Sequence, residues 1–154
     1  IVLGGMAVTD DRRRLVDFTQ SYSSSDSEEW YIGRPGSAPP AAALIGVQSG
    51  TVHEDHARRM GYDYQSFPTE PQVLSALVAG TVELALGPYS TRLDIQDFVD
   101  ANGLDFLYSD IIPDDGVAMA VCQGNTDLLD SLNAALDAMR ADGTLETLES
   151  RWFD

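Results

Sequence analysis

Residues 44–107 of this 154-residue chain alternate short apolar runs with amphipathic segments, and that rhythm restricts the fold more than any other feature. Leu44, Ile45, Gly46 and Val47 read as a strand, and Gln48-Ser49-Gly50 as a turn. Residues 51–60 read as a helix stopped by Gly61, and 62–67 alternate like a strand. A second helix over 69–78 puts Val73, Leu74, Leu77 and Val78 on one face and stops at Gly80. Residues 82–86 form a further strand, Gly87-Pro88 turns it into a helix over about 89–102, and 104–107 are a last strand. Strands alternating with helices at this spacing predict an α/β fold with a mostly parallel, open sheet and helices on its faces.

The flanking segments are less regular. Ile1, Val2 and Leu3 suit a buried strand ended by Gly4 and Gly5, and a chain opening on such a strand is expected to begin inside a fold, after a missing N-terminal part. Thr9 can cap a helix whose first turn holds Asp10 and Asp11, and Leu15, Val16 and Phe18 then lead back toward packed structure. Residues 21–29 are polar and Ser-rich and read as a crossing segment, with a strand resuming at Trp30-Tyr31-Ile32 and a Pro/Gly/Ser loop over 34–40. Residues 117–122 form an apolar strand. A long helix from Thr126 places Leu129, Leu132, Leu136 and Met139 on its buried side; this is a core stripe rather than a cofactor box. Asp142-Gly143 ends it, and Thr144 caps a final helix anchored by Trp152 and Phe153.

Charge narrows the function. Asp and Glu number 25 against 9 basic residues, all of them Arg, for a net charge of −16. Such a surface repels nucleic-acid backbones and anionic lipid. No run is long and apolar enough to span a membrane, and no signal peptide is visible. The lone Cys122, closing the run 117–121, reads as a buried small hydrophobe rather than a nucleophile. His53 and His56 share a helix face but lack the spacing of a zinc-protease motif, so a solvated face is the expectation. Ser23-Ser24-Ser25 lacks the GxSxG elbow of a nucleophile. No metal, cofactor or catalytic group is read from the chain.

Two stretches have the form of a carboxylate site. In Gly4-Gly5-Met6-Ala7-Val8-Thr9-Asp10-Asp11-Arg12, a strand ends in glycines that let a ligand approach the backbone, a helix starts soon after, and Arg12 can fork onto a carboxylate. In Val47-Gln48-Ser49-Gly50-Thr51-Val52-His53, a glycine turn at a strand's C-terminal end precedes a helix N-terminus, the place where open α/β sheets bind ligands. Each alone is equally an ordinary strand–turn–helix, with Arg12 on the surface in the first case.

In order and spacing, the two stretches together with Val16-Asp17-Phe18-Thr19-Gln20-Ser21-Tyr22 and Gly80-Thr81-Val82-Glu83-Leu84-Ala85 resemble the bacterial extracellular solute-binding proteins of the polar amino-acid class (family 3). The ending, Asp142-Gly143-Thr144-Leu145 through Trp152-Phe153, is similar to that family's terminal helices, so the resemblance covers nearly the whole chain. It implies a type II periplasmic-binding-protein fold: two α/β lobes joined by a two-strand hinge, with the ligand between them. Lobe 1, here truncated, would comprise 1–24 plus 116–154, and lobe 2 would comprise 27–113. It further implies that Gly5 offers its carbonyl to a ligand amine, Ala7 its N–H to the carboxylate, and Arg12 a clamp on that carboxylate. Thr51 and Val52 would close on the same carboxylate while Gln48 lines the pocket. Two positions depart from the family pattern. Pro88 stands where many members carry an Asp that pairs with the ligand's ammonium, and Ala7 where many carry a hydroxyl.

The expected function is the periplasmic substrate-binding component of an ABC importer. It would take a small carboxylate-bearing solute, an amino acid or derivative, by lobe closure and deliver it to the importer's membrane subunits. The alternatives are a periplasmic dehydratase of the cyclohexadienyl type on the same fold, or an extracellular sensor domain. A shortened lobe 1 is expected to weaken binding and to expose apolar surface that favours self-association.

Overall fold

The computed structural model describes residues 1–23, 28–89, 93–113 and 115–153, the side chains of residues 93, 94, 152 and 153 excepted. In chain order its elements are α1 (Asp10–Arg13), β1 (Val16–Phe18), β2 (Glu28–Gly33), β3 (Ile45–Gln48), α2 (Val52–Met60), β4 (Tyr64–Phe67), α3 (Glu70–Ala79), β5 (Leu84–Leu86), α4 (Leu93–Ala101), β6 (Asp105–Ile111), β7 (Ala120–Cys122), α5 (Thr126–Ala141) and α6 (Thr144–Phe153). They fall into two compact units, Ile1–Asp26 with Pro113–Asp154 and Ser27–Ile112.

The Ser27–Ile112 unit is a five-stranded sheet in the order β4-β3-β5-β2-β6. β3 runs parallel to β4 and β5, whereas β2 is antiparallel to both β5 and β6. Four strands therefore share one direction, and β2 is threaded against them. The opposed direction follows from the pairing of the unit's two ends: Glu28 at the start of β2 lies opposite Ile111 at the end of β6. A strand that leaves the edge at which another arrives must run the other way.

Alternate residues of each strand face opposite sides. Ile32 and Ala85 pack with Val73, Leu77, Ile95 and Val99 of α3 and α4. Tyr31, Leu84 and Leu86 pack on the other side with Ile45, Val47 and Ala57 of β3 and α2. A sheet covered on both faces explains why β3 and β5 are continuous apolar runs. Gly46 lets α3 sit close: a Cβ there would lie 3.0 Å from Val82 and 3.1 Å from Val73. α2 and α3 stop where expected because Gly61 (φ 71°) and Gly80 (φ 74°) adopt the left-handed C-cap. In α3, Val73 and Leu77 of the expected stripe are buried, but Ala76 takes the third place and Val78 is exposed. α4 includes 93–101, Tyr89 precedes it as a buried loop residue, and 90–92 lie outside the described residues.

The other unit has a two-stranded antiparallel sheet, β1 with β7. Val2 joins it only through an isolated bridge to Ala120. Ile1, Val2 and Leu3 are 69%, 53% and 66% exposed rather than a buried strand, because the ribbon offers them no second layer. Leu15 is exposed as well. Cys122, expected inside, is exposed: Ala120 and Val121 are buried, and Cys122 closes the strand beyond them. Of the α5 stripe only Leu136 is fully buried, with Leu129, Leu132 and Met139 half-buried. α5 is held as much by polarity, since Gln20 donates its N–H to Asn133 Oδ1 at 2.9 Å and its Nε2 to Asn133 O at 3.0 Å and to Asp137 Oδ1 at 2.7 Å. Arg140 also donates to the Ser21 carbonyl. α6 begins at Thr144, and its cap is the Asp142 carboxylate, which accepts the Thr144 N–H at 2.9 Å. Hydrogen bonding from the Thr144 side chain first, and then from this N–H, holds the carboxyl below its usual range. The side chains of Trp152 and Phe153, and residues 24–27 of the expected crossing, lie outside the described residues.

Candidate functional site

The residues predicted to bind a carboxylate fall into two groups, one in each unit. In the first, Gly4 (φ 139°) and Gly5 (φ 62°) turn the chain after Leu3 through conformations that need glycine. Residues 6–8 then run along 116–118: Val8 N–H donates to Gly116 O at 2.9 Å and Ala118 N–H to Met6 O at 3.2 Å. Ala7 and Val117 are thus a non-hydrogen-bonded antiparallel pair, in which the N–H and C=O of Ala7 both point away from Val117. On that outer side Arg12 Nη1 donates to Ala7 O at 2.8 Å. The guanidinium and the Ala7 amide therefore lie on one side of the strand as two donors for an anion. Thr9 caps α1 by accepting the Arg12 N–H at 3.3 Å. α1 is a single turn of four residues, however, so the expected helix dipole contributes little and Arg12 carries the charge. Arg13 pairs with Asp115 at 3.0 Å and Arg14 with Asp11 at 2.9 Å, which leaves Arg12 as the member of the triplet set against the Ala7 strand.

The second group lies along the C-terminal edge of the five-stranded sheet. From β3 the chain passes through α2 to β4 on one side, and α3 then carries it to β5 on the other. The C-terminal end of β3 is therefore a switch point, where a crevice opens. Gln48 ends β3, Thr51 is the N-cap of α2 and Val52 its first residue. Thr51 Oγ1 accepts the Glu54 N–H at 3.4 Å and donates to Gln48 O at 2.7 Å. Glu54 reaches back to the Gly50 N–H at 2.8 Å. Of the predicted donors, the Val52 amide belongs to the first turn, whose N–H groups have no acceptor within the helix. Gln48 Nε2 donates to Pro68 O at 3.5 Å, which draws its amide toward the end of β4. Pro88 follows β5 on the same edge, exposed, with neither charge nor N–H to give. It borders a cavity of about 570 Å³ whose lining includes Glu70, Leu74, Tyr89 and Phe98.

Residues 1–154 match the sequence model of the bacterial extracellular solute-binding proteins, family 3. The chain belongs to that family. Among curated relatives it is 28% identical to the putative ABC transporter arginine-binding protein 2 of Escherichia coli (strain K12), over 99% of this chain and 65% of that protein. It is also 28% identical to the L-cystine-binding protein TcyJ of Escherichia coli (strain K12), over 99% of this chain and 59% of that protein. The chain thus spans about three-fifths of the length of the curated relatives it matches. Among solved structures, a periplasmic His/Glu/Gln/Arg/opine family-binding protein from Silicibacter pomeroyi, in complex with lysine, superposes with a TM-score of 0.84 at 23% identity. That match covers 97% of this chain and 67% of that one, a likeness of fold. The fold is that of the type II periplasmic binding proteins, and the named relatives are binding proteins.

Within the family fold, one polar group was misread from sequence. His53 and His56 are not a solvated helix face: both are 6% exposed, turned from α2 onto the sheet. His56 Nε2 meets Asp110 Oδ2 at 3.1 Å, and Tyr31 donates its hydroxyl to the same oxygen at 2.7 Å. Burial first, then the hydrogen bond to Asp110 and its charge, push the Tyr31 phenol far up and keep it a neutral donor. His53 Nε2 lies 3.8 Å from Glu29 Oε2. Glu29 and Asp110 are cross-strand partners, so two acids on neighbouring strands face two histidines on one helix. The i, i+3 spacing of the histidines was the only sequence signal, and their acid partners lie too far along the chain for local pattern to link them. Among the described residues, no group of three or more His, Cys, Asp and Glu side chains is arranged to hold a metal ion.

Proposed function

We propose that the chain is part of the periplasmic substrate-binding component of an ABC importer, and that it captures a small carboxylate-bearing solute, an amino acid or derivative. The observation that carries this reading is the pairing of the Arg12 guanidinium with the outward side of Ala7. A fixed cation beside a main-chain N–H is a carboxylate receptor. Gly5 would accept from a ligand amine, and Thr51, Val52 and Gln48 would supply the second set of contacts. The arginine- and cystine-binding relatives support the amino-acid class. Solute would favour a closed arrangement of the lobes by binding it more tightly than the open one, and the importer's membrane subunits would read that state. The exposed Ile1, Val2, Leu3 and Leu15 support self-association of this form of the chain.

The test is a thermal-shift screen of the longest natural form of the chain against amino acids, their deaminated analogues and betaine-like compounds, repeated with Arg12→Ala. Stabilisation by a carboxylate, lost in the variant, is the expected result. Hits indifferent to Arg12, or turnover of a cyclohexadienyl acid, would overturn the proposal.

A further inference from the structure

Among the described residues, three buried side-chain atoms have no hydrogen-bond partner: Glu29 Oε2, His53 Nε2 and Tyr89 Oη. All three belong to the edge that carries Gln48, Thr51, Val52 and Pro88. Glu29 is the second residue of β2, His53 lies in the first turn of α2, and Tyr89 follows Pro88. The β2–β5 register pairs Tyr31 with Leu86, Ile32 with Ala85 and Gly33 with Leu84. Continued by two residues, it sets Glu29 level with Pro88, on the face that Tyr31 and Leu86 share and α2 covers. Tyr89, next along the chain, has its phenol pushed up by burial first and then by the negative charges of Glu70 and Glu29.

Glu29 is a half-committed acid. Its Oε2 is turned inward, too far from His53 Nε2 at 3.8 Å for a hydrogen bond. Its side chain is still 13% exposed, and that exposure lies on atoms other than Oε2. No arginine among the described residues pairs with it. A carboxylate largely withdrawn from water without a cation is unfavourable, and a bound cation relieves it. On the same edge the first-turn amides of α2 attract negative charge. One edge thus offers donors for an anion and, beside them, an acceptor for a cation, the complement of a zwitterion.

We propose that Glu29 is a specificity-determining residue that binds the ammonium group of a zwitterionic solute, supplying from β2 the negative charge that Pro88 does not. His53, whose Nε2 lies 3.8 Å from Oε2, faces the inward side of that carboxylate. The inference rests on the reading of this edge as a solute site.

The test is calorimetric titration of the longest natural form of the chain with the protein amino acids, each paired with the acid that lacks only its α-ammonium group. Wild type is expected to prefer the amino acid, and Glu29→Gln to reduce that preference by about tenfold to a hundredfold, the range of a charge-assisted hydrogen bond, while still binding the deaminated acid. Glu29→Asp keeps the charge but draws it back by one methylene; it is expected to lower the preference without abolishing it, and it serves if Glu29→Gln fails to fold. An undiminished preference in Glu29→Gln overturns the role of Glu29 alone. Equal binding of both acids by wild type overturns the ammonium site. No binding of any pair by wild type overturns the solute-site reading and this inference with it.

Discussion

The two units of the chain solve the same problem differently. Among the described residues, every one of the largest fully buried side chains, from Tyr31 and Ile32 through Leu77 and Leu86 to Val99, belongs to the Ser27–Ile112 unit. The Ile1–Asp26 and Pro113–Asp154 unit has a two-stranded ribbon, an α5 with one fully buried residue and three exposed apolar residues at its start. A five-stranded sheet covered on both sides excludes water from two continuous cores, whereas a ribbon has too little face to do so. The continuous unit is therefore the stable platform. The split unit relies on main-chain bridges and on polar ties such as Gln20 to Asn133.

The sharpest way to break this comparison is to cut one leucine from each core. Leu77→Ala is expected to cost about 2–5 kcal/mol, and Leu136→Ala to fall at the lower end of that range, because half-buried Leu132 and Met139 can close in on the space. Urea midpoints for the two variants decide it, and equal losses would remove the difference in core quality. Next in size is Gly46→Ala, which forces a methyl against Val82 and Val73 and should cost about 1–3 kcal/mol. A thermal midpoint matching wild type would mean that α3 can move away from the sheet without loss.

Asp110→Ala leaves the Tyr31 hydroxyl and His56 without their shared acceptor and is expected to cost about 1–3 kcal/mol. Faster hydrogen exchange should then be confined to α2 and the strands beside it. Gln20→Ala should cost about 1 kcal/mol and speed exchange in α5 alone. Exchange that rises in α2 as well would show that the units do not respond separately. The smallest effect expected is at Asp142. Its folded value is depressed below 3.8, so its contribution is present above that value and is lost as pH falls through the folded one. Asp142→Asn should fray the start of α6 at neutral pH and make no difference in strong acid, as circular dichroism of the two proteins can show.

Much of the platform was legible because its punctuation is local. Thr51 and Gly61 bracket α2, Thr69 and Gly80 bracket α3, and each glycine takes the left-handed cap. The proposed ligand contacts rest on the same kind of signal: a glycine turn at a strand's end and a helix start after it are short-range patterns, and they single out Gly5, Ala7 and Arg12, and Gln48, Thr51 and Val52 as candidates. Glu29 was not legible, because nothing within several residues of it marks it as more than a surface acid.

By itself, the sequence determined the alternation of strands and helices, the helix stops, and the loops that carry the candidate ligand contacts, since each is set by residues within a turn or two of one another. Tertiary structure alone decided the reversed direction of β2, the exposure of Ile1 to Leu3 and of Cys122, and the burial of His53 and His56 against Glu29 and Asp110. Strand direction and burial depend on which distant segment supplies the neighbouring layer, and local periodicity carries no record of that partner.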